Sequence, residues 1–182
     1  ELGVEAELVF EIVYESVNKS QSMIGKIQST RGLLTESVSA RSLSEVLNKC
    51  LRSLRATHDD VEVELNMQVQ EPVVRADEYL EFLLMNILEN AVVHNDKRIR
   101  QVWVTVNDVE KGYEVLISDN GPGIAESKKK VLFDPGRRFG GVGVHQAMSI
   151  AHKYGGRVIV HDRITGNPSQ GAEFLIWLPK WI

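Results

Sequence analysis

Three polar clusters along this 182-residue chain have residue types and spacings that could handle a phosphorylated ligand. Asn86, Asn90 and His94 stand four residues apart, so on a helix they share one face. Carboxamide oxygens there could approach a magnesium ion, which takes oxygen ligands and keeps several waters. Asp119-Asn120-Gly121-Pro122-Gly123-Ile124 follows a strand-like run. Its glycines let the backbone come close to a flat ligand, and Asp119 can accept a hydrogen bond from an exocyclic amine. Gly140-Gly141-Val142-Gly143-Val144 leads into a helical stretch whose first N–H groups are free to meet phosphate. Each cluster alone has a plainer reading: a solvated helix face, a tight turn, a glycine-rich hinge. The chain lacks the GxxxxGK-Ser/Thr signature of P-loop proteins. Its Gly-rich segment also lacks the strand and third glycine of a dinucleotide fingerprint.

Elements able to hold these clusters can be traced around them. Leu43 to Leu54 have helical periodicity, and Cys50 falls on their apolar stripe as a buried packing thiol. Val61 to Met67 alternate apolar and polar residues, the period of a half-buried strand, and Pro72 to Ala76 suggest a short partner strand. Asp77 is a good N-cap for an amphipathic helix with Leu80, Leu83, Leu84, Ile87, Leu88 and Ala91 on its apolar face, ending near Asn95. Val102 to Val106 and Glu114 to Ile117 are expected to be strands joined by a turn around Asp108 to Gly112. Val144 to Tyr154 should be a helix stopped by Gly155-Gly156. Arg157 to His161 and Ala172 to Leu178 complete the set. The expected fold is α/β (α+β): a two-layer sandwich whose mixed sheet is covered on one face by helices, with most strand connections made as hairpins.

The first 37 residues have a different pattern. Ala6, Phe10, Val13, Val17, Ser20, Ile24, Ile27, Arg31 and Leu34 form a seam spaced alternately four and three, apolar at seven of nine positions. Such a coiled-coil-like helix needs a partner to bury its stripe. Composition narrows the functions. With 21 basic and 25 acidic residues the net charge is -4, so no broad attraction to nucleic acid or anionic membrane is expected. The single cysteine excludes an internal disulfide and fits a reducing compartment. No apolar run approaches the roughly 20 residues of a membrane span, and the N-terminus has no signal-peptide pattern. A cytoplasmic location with no membrane contact by this segment is the expectation.

The three clusters in this order resemble the GHKL superfamily, which holds histidine kinases, the Hsp90 chaperone, MutL and type II topoisomerases around the Bergerat ATP-binding fold. Asn86 to His94 look like its N-box, Asp119 to Gly123 its DxGxG box, and Gly141 to Val144 its last glycine box. Leu132-Phe133-Asp134-Pro135 is similar to the phenylalanine box. Gly155-Gly156-Arg157-Val158 and Gly171-Ala172-Glu173-Phe174 match its C-terminal strands. The heptad stretch resembles the second helix of a sensor histidine kinase dimerisation domain. The implied division is residues 1–37 for that helix and 38–182 for a catalytic ATP-binding domain.

The resemblance implies ATP and Mg²⁺ as ligands. Asn90 would ligate the metal, and Asp119 would accept from the adenine amino group. Gly121 and Gly123 would shape the base pocket, with His94, Phe133 and Val144 beside the nucleotide, while Gly141 and Gly143 close over the phosphates. Arg138 would bring a cation to the γ-phosphate. Hydrolysing members carry a glutamate where Asn86 stands; an amide cannot deprotonate water, which favours a kinase. Val93 replaces a frequent lysine, Phe139 replaces the first glycine of the last box, and the lid at Gly136 to Gly140 is short. None of His58, His94, His145, His152 and His161 has the setting of the family's phosphoacceptor, so the acceptor is expected outside this chain, on a helix upstream of Glu1. The implied function is a two-component protein histidine kinase that pairs as a homodimer through its leading helix and feeds a response regulator receiver domain. The rivals are a non-catalytic nucleotide-gated interaction module and an anti-sigma-type serine kinase.

Overall fold

Alternation along the strands decides which face of the sheet is dry. In the computed structural model, which describes residues 37–132 and 141–182, β1 (Ser39–Ser42) is followed by helix α1 (Leu43–Thr57). Next come β2 (Val61–Met67), β3 (Val73–Ala76), α2 (Leu80–Val93), β4 (Arg100–Val109) and β5 (Gly112–Asp119). Helices α3 (Glu126–Leu132) and α4 (Gly141–Lys153) precede β6 (Arg157–Asp162) and β7 (Ala172–Pro179). Val102, Val104 and Val106 of β4, Val115 and Ile117 of β5, and Phe174, Ile176 and Leu178 of β7 point one way and are buried. Their alternates, among them Trp103, Leu116, Leu175 and Trp177, remain half-exposed. Helices α2 and α4 pack on the dry face and α1 packs on α2. Each large aliphatic side chain buried there contributes about 1.5–3 kcal/mol.

The main sheet runs β2-β4-β5-β7-β6 and is mixed, as the alternation and interleaved helices predict. The chain of antiparallel pairs β4-β5-β7-β6 includes two hairpins, and only β2 and β4 are parallel. That parallel pairing corrects one expectation. β3 is not the partner of β2; it pairs antiparallel with β1, Ser42 opposite Val73, in a separate two-stranded sheet. Ser39 to Ser42, a polar stretch just before α1, are therefore a strand formed by pairing rather than by apolar alternation. Ser42 also caps α1, its Oγ accepting from the Glu45 N–H at 3.3 Å. Helix α3 was not foreseen either. Its Lys129 bridges Glu126 at 2.6 Å and also pairs with Asp162 at the end of β6.

Two helix ends show how the helices are bounded. Asp77 does not cap α2 directly. Its Oδ1 accepts from the Tyr79 N–H at 2.9 Å in the turn that precedes the helix. At the far side, α4 ends where Gly155 adopts φ +79°. Gly155 N–H donates to His152 O at 2.9 Å and Gly156 N–H to Ala151 O at 2.8 Å, the paired bonds of a left-handed helix stop. Cys50 is fully buried, and burial followed by the Glu81 charge pushes its thiol up to about 12, so it is a packing group.

Candidate functional site

Asp119 is the last residue of the central strand β5 and is buried to 7% exposure. A carboxylate there needs partners. Its Oδ1 accepts from the Gly121 N–H at 2.8 Å and the Ala172 N–H at 3.3 Å. Oδ2 receives no hydrogen bond from the described residues. Burial raises the Asp119 pKa above its ordinary value, outweighing the two N–H donors and the nearby Arg163 cation that lower it. One oxygen is thus pinned by backbone and the other is left to accept.

The surrounding turns are built tightly against this group. Gly171 has φ +103°, and a Cβ on it would lie 1.8 Å from the Asp119 carbonyl oxygen. Gly123 has φ +67°, and a Cβ there would lie 1.7 Å from the Pro168 carbonyl oxygen. Both positions therefore require glycine. The need at Gly123 comes from the 163–171 loop crossing behind it, a cause that the sequence pattern does not reveal. Arg163 holds that loop, donating Nε–H to Gln170 O at 2.7 Å and lying over the Trp103 ring at 5.0 Å.

A small pocket opens between α2 and the turn after β5. It is lined by Asn90, Ala91 and His94 on one side, by Asp119 and Pro122 to Ile124 on the other, and by Ala172 of β7. Helix α2 and the β5 turn, predicted separately from sequence, thus meet at one place. Asn90 is half-exposed and its carboxamide makes no hydrogen bond to described residues, so its oxygen is available. Among the described residues no cluster of three His, Cys, Asp or Glu side chains could cage a metal. A single amide oxygen supplemented by ligand phosphates and water matches the modest protein coordination that Mg²⁺ accepts.

The expected shared face of Asn86, Asn90 and His94 is divided by packing. Asn86 is 6% exposed, donates Nδ2–H to Phe82 O at 2.9 Å, and does not line the pocket. A Cβ on Gly143 would come within 2.7 Å of its Oδ1, so Asn86 lies beneath the first turn of α4. The cause is that α2 lies between the sheet and two other helices, leaving little of its surface wet. Gly141 begins α4, while Val144 is 1% exposed and serves the core. Gly121 sits directly behind Asp119. Phe133, Arg138, the 136–140 segment and the leading heptad helix lie outside the described residues. Ala91, Pro122 and Ile124 lie inside the recognised motifs but carry no site role of their own in the sequence reading, and Ala172 stands in an expected strand without one; all four line the pocket.

Comparison with known proteins fits this geometry. Residues 76–182 match the family described as histidine kinase-, DNA gyrase B- and HSP90-like ATPase. The signal transduction histidine-protein kinase/phosphatase MprB of Mycobacterium sp. (strain KMS) is 27% identical over 160 residues, covering 81% of this chain and 30% of that protein. The chain thus spans less than a third of that curated relative. A solved structure of a mycobacterial sensor histidine kinase MprB superposes with TM-score 0.70 at 24% identity, covering 78% of this chain and 98% of that one. The histidine kinase ThkA, solved in complex with the response regulator protein TrrA, superposes with TM-score 0.71 at 18% identity, covering 91% of this chain and 49% of that one.

Proposed function

The chain belongs to the histidine kinase-, DNA gyrase B- and HSP90-like ATPase family, and from that premise we propose that it is the ATP-binding catalytic part of a two-component histidine kinase. The observation that carries this reading is the buried Asp119 carboxylate in the pocket lining, with Oδ1 fixed by two backbone N–H groups and Oδ2 receiving no hydrogen bond from the described residues. An adenine amino group is a donor of the right kind for that oxygen. Asn90, on the opposite wall, would hold Mg²⁺ through its amide oxygen, and the exposed His94 of the same lining would be a further contact for the nucleotide. Bound Mg²⁺ supplies charge neutralisation on the phosphate oxygens, and the rest of phosphoryl transfer is positioning.

Asn86 supports transfer over hydrolysis. It is an amide, it is buried, and it is occupied by Phe82 O and the first turn of α4. No general base therefore stands at that position to deprotonate water. The γ-phosphoryl would pass to a histidine outside this chain and then to a receiver aspartate of a response regulator. None of the chain's own histidines is an exposed helical histidine followed by an acidic residue: His152 is exposed on α4 but precedes Lys153. Residues 1–37 would pair two copies as a dimerisation helix. No helix among the described residues is long and apolar enough to cross a membrane; we assign this segment to the cytoplasm.

Calorimetry with ATP tests the pocket. Wild-type binding should strengthen on adding Mg²⁺. Asn90→Ala should lose that Mg²⁺ dependence and bind Mg·ATP about tenfold more weakly, a change of about 1.4 kcal/mol. Equal Mg²⁺ dependence in the variant would remove Asn90 from the metal.

A further inference from the structure

Asn95, one residue beyond the helix α2 cap, is 5% exposed although it does not line the pocket. Its Nδ2–H donates to Asn120 Oδ1 at 2.8 Å, and its own Oδ1 accepts from the Lys97 N–H at 3.1 Å. Asn120 is tied to β4 and to the segment before it. Its Oδ1 also accepts from the Gln101 N–H at 2.9 Å, its Nδ2–H donates to Ile99 O at 3.1 Å, and its backbone N–H donates to Gln101 O at 3.2 Å. These backbone partners fix which end of the Asn120 amide is oxygen, because a backbone N–H can only donate and a carbonyl can only accept. Asn95 must therefore be the donor in the pair. Asn120 stands between Asp119 and Gly121, whose N–H pins Asp119 Oδ1. A Cβ on Gly121 would meet Asn95 Cα at 3.3 Å, so Asn95 also backs the turn physically.

We propose that Asn95 and Asn120 form a carboxamide clasp that positions the Asp119 to Gly121 turn for base recognition, making both of them positioning residues of the nucleotide site. The inference rests on the nucleotide reading above. A buried amide is costly unless its groups are paired. Here the acceptors and donors that face protein are used, and the resulting network joins the C-terminal end of α2 to the β5 turn. Space-filling alone would be served by an apolar side chain. The network instead fixes the orientation of the turn, and with it the place of the Asp119 carboxylate.

The test is the ratio of ATP to GTP affinity, measured by calorimetry well below each variant's unfolding temperature. Asn120→Leu removes the acceptor from both Asn95 and Gln101. It should bind ATP about tenfold more weakly while GTP affinity changes little, so the ratio collapses by a similar factor. Asn120→Asp keeps the acceptor oxygen for both partners but gives up the Nδ2–H bond to Ile99 O, so its ratio should fall less than that of Asn120→Leu. Asn95→Asp keeps size and polarity but removes the donor, and it carries the same test should Asn120→Leu not fold; it should behave like the leucine variant. Lower thermal stability with an unchanged ATP to GTP ratio would overturn the clasp and leave the site assignment standing. A wild-type protein that binds no adenine nucleotide would overturn both.

Discussion

Asp119→Asn should lose ATP affinity by about 100-fold while remaining folded. The asparagine oxygen can still accept from the Gly121 and Ala172 N–H groups that now fix Oδ1. Its Nδ2 then occupies the place of Oδ2, so a donor faces the donor of the adenine amino group. Hydrogen bonds to a charged acceptor contribute about 1.5–3 kcal/mol, and leaving two donors opposed removes that contribution and adds repulsion. Stability should hold, because burial already disfavours the ionised carboxyl and raises its pKa. The sign of the pH dependence follows. A raised pKa means that, as pH falls, the pocket carboxyl takes up its proton above the ordinary value of 3.8, losing its acceptor oxygen. ATP binding by the wild type should weaken over that range by more than in the asparagine variant, where only the nucleotide itself takes up protons. Wild-type affinity in Asp119→Asn, measured by calorimetry, would refute the base-recognition role.

The largest expected effect on stability is at Asp77, far from the pocket. This carboxylate is 3% exposed and accepts from Lys153 Nζ at 2.5 Å, from the Tyr154 hydroxyl, and from the Tyr79 N–H. It fastens the end of α4 to the turn before α2. Burial works to raise its pKa, but the hydrogen bonds from Lys153, Tyr154 and Tyr79 outweigh that and hold it below the ordinary value. Asp77→Ala would leave a part-buried ammonium and a buried hydroxyl without their acceptor, a loss of about 3–5 kcal/mol. In a domain of this size the midpoint should fall by about 10 °C or more. Because the folded pKa is depressed, the stabilisation is present above the ordinary carboxylate pKa and is lost as pH falls through the folded one. The gap between wild type and Asp77→Asn in thermal melts should therefore narrow on acidification below about pH 4. A gap that stays constant, or no gap at neutral pH, would show that the cluster carries little.

Patterns of local period were legible in the sequence, and pairings across distance were not. The alternation in Val61 to Met67 identified β2, yet nothing in it specifies a parallel partner at Arg100 to Val106. Ser39 to Ser42 have no apolar alternation and become a strand only because Val73 to Ala76 lie alongside. In the site, helical spacing put Asn86, Asn90 and His94 on one face, but it could not show that α4 would cover Asn86. The glycine box and the DxGxG box were visible as residue types. The reason for Gly123, a carbonyl of Pro168 crossing behind it, depends on a loop about 45 residues downstream in the chain. Asn95 offered no signal because its work is done through Asn120, across the gap between α2 and β5.

Phosphoryl transfer is the central claim, and one labelling experiment reaches it. The chain would be mixed with Mg²⁺, [γ-³²P]ATP and a separately produced dimerisation domain bearing an acceptor histidine. The account predicts label on the added domain that is stable to base and labile to acid, as a phosphohistidine is, with Asp119→Asn transferring almost none. Nucleotide binding with no label on the acceptor would contradict the kinase and favour a nucleotide-gated interaction module. Release of the label as inorganic phosphate would contradict the role given to Asn86.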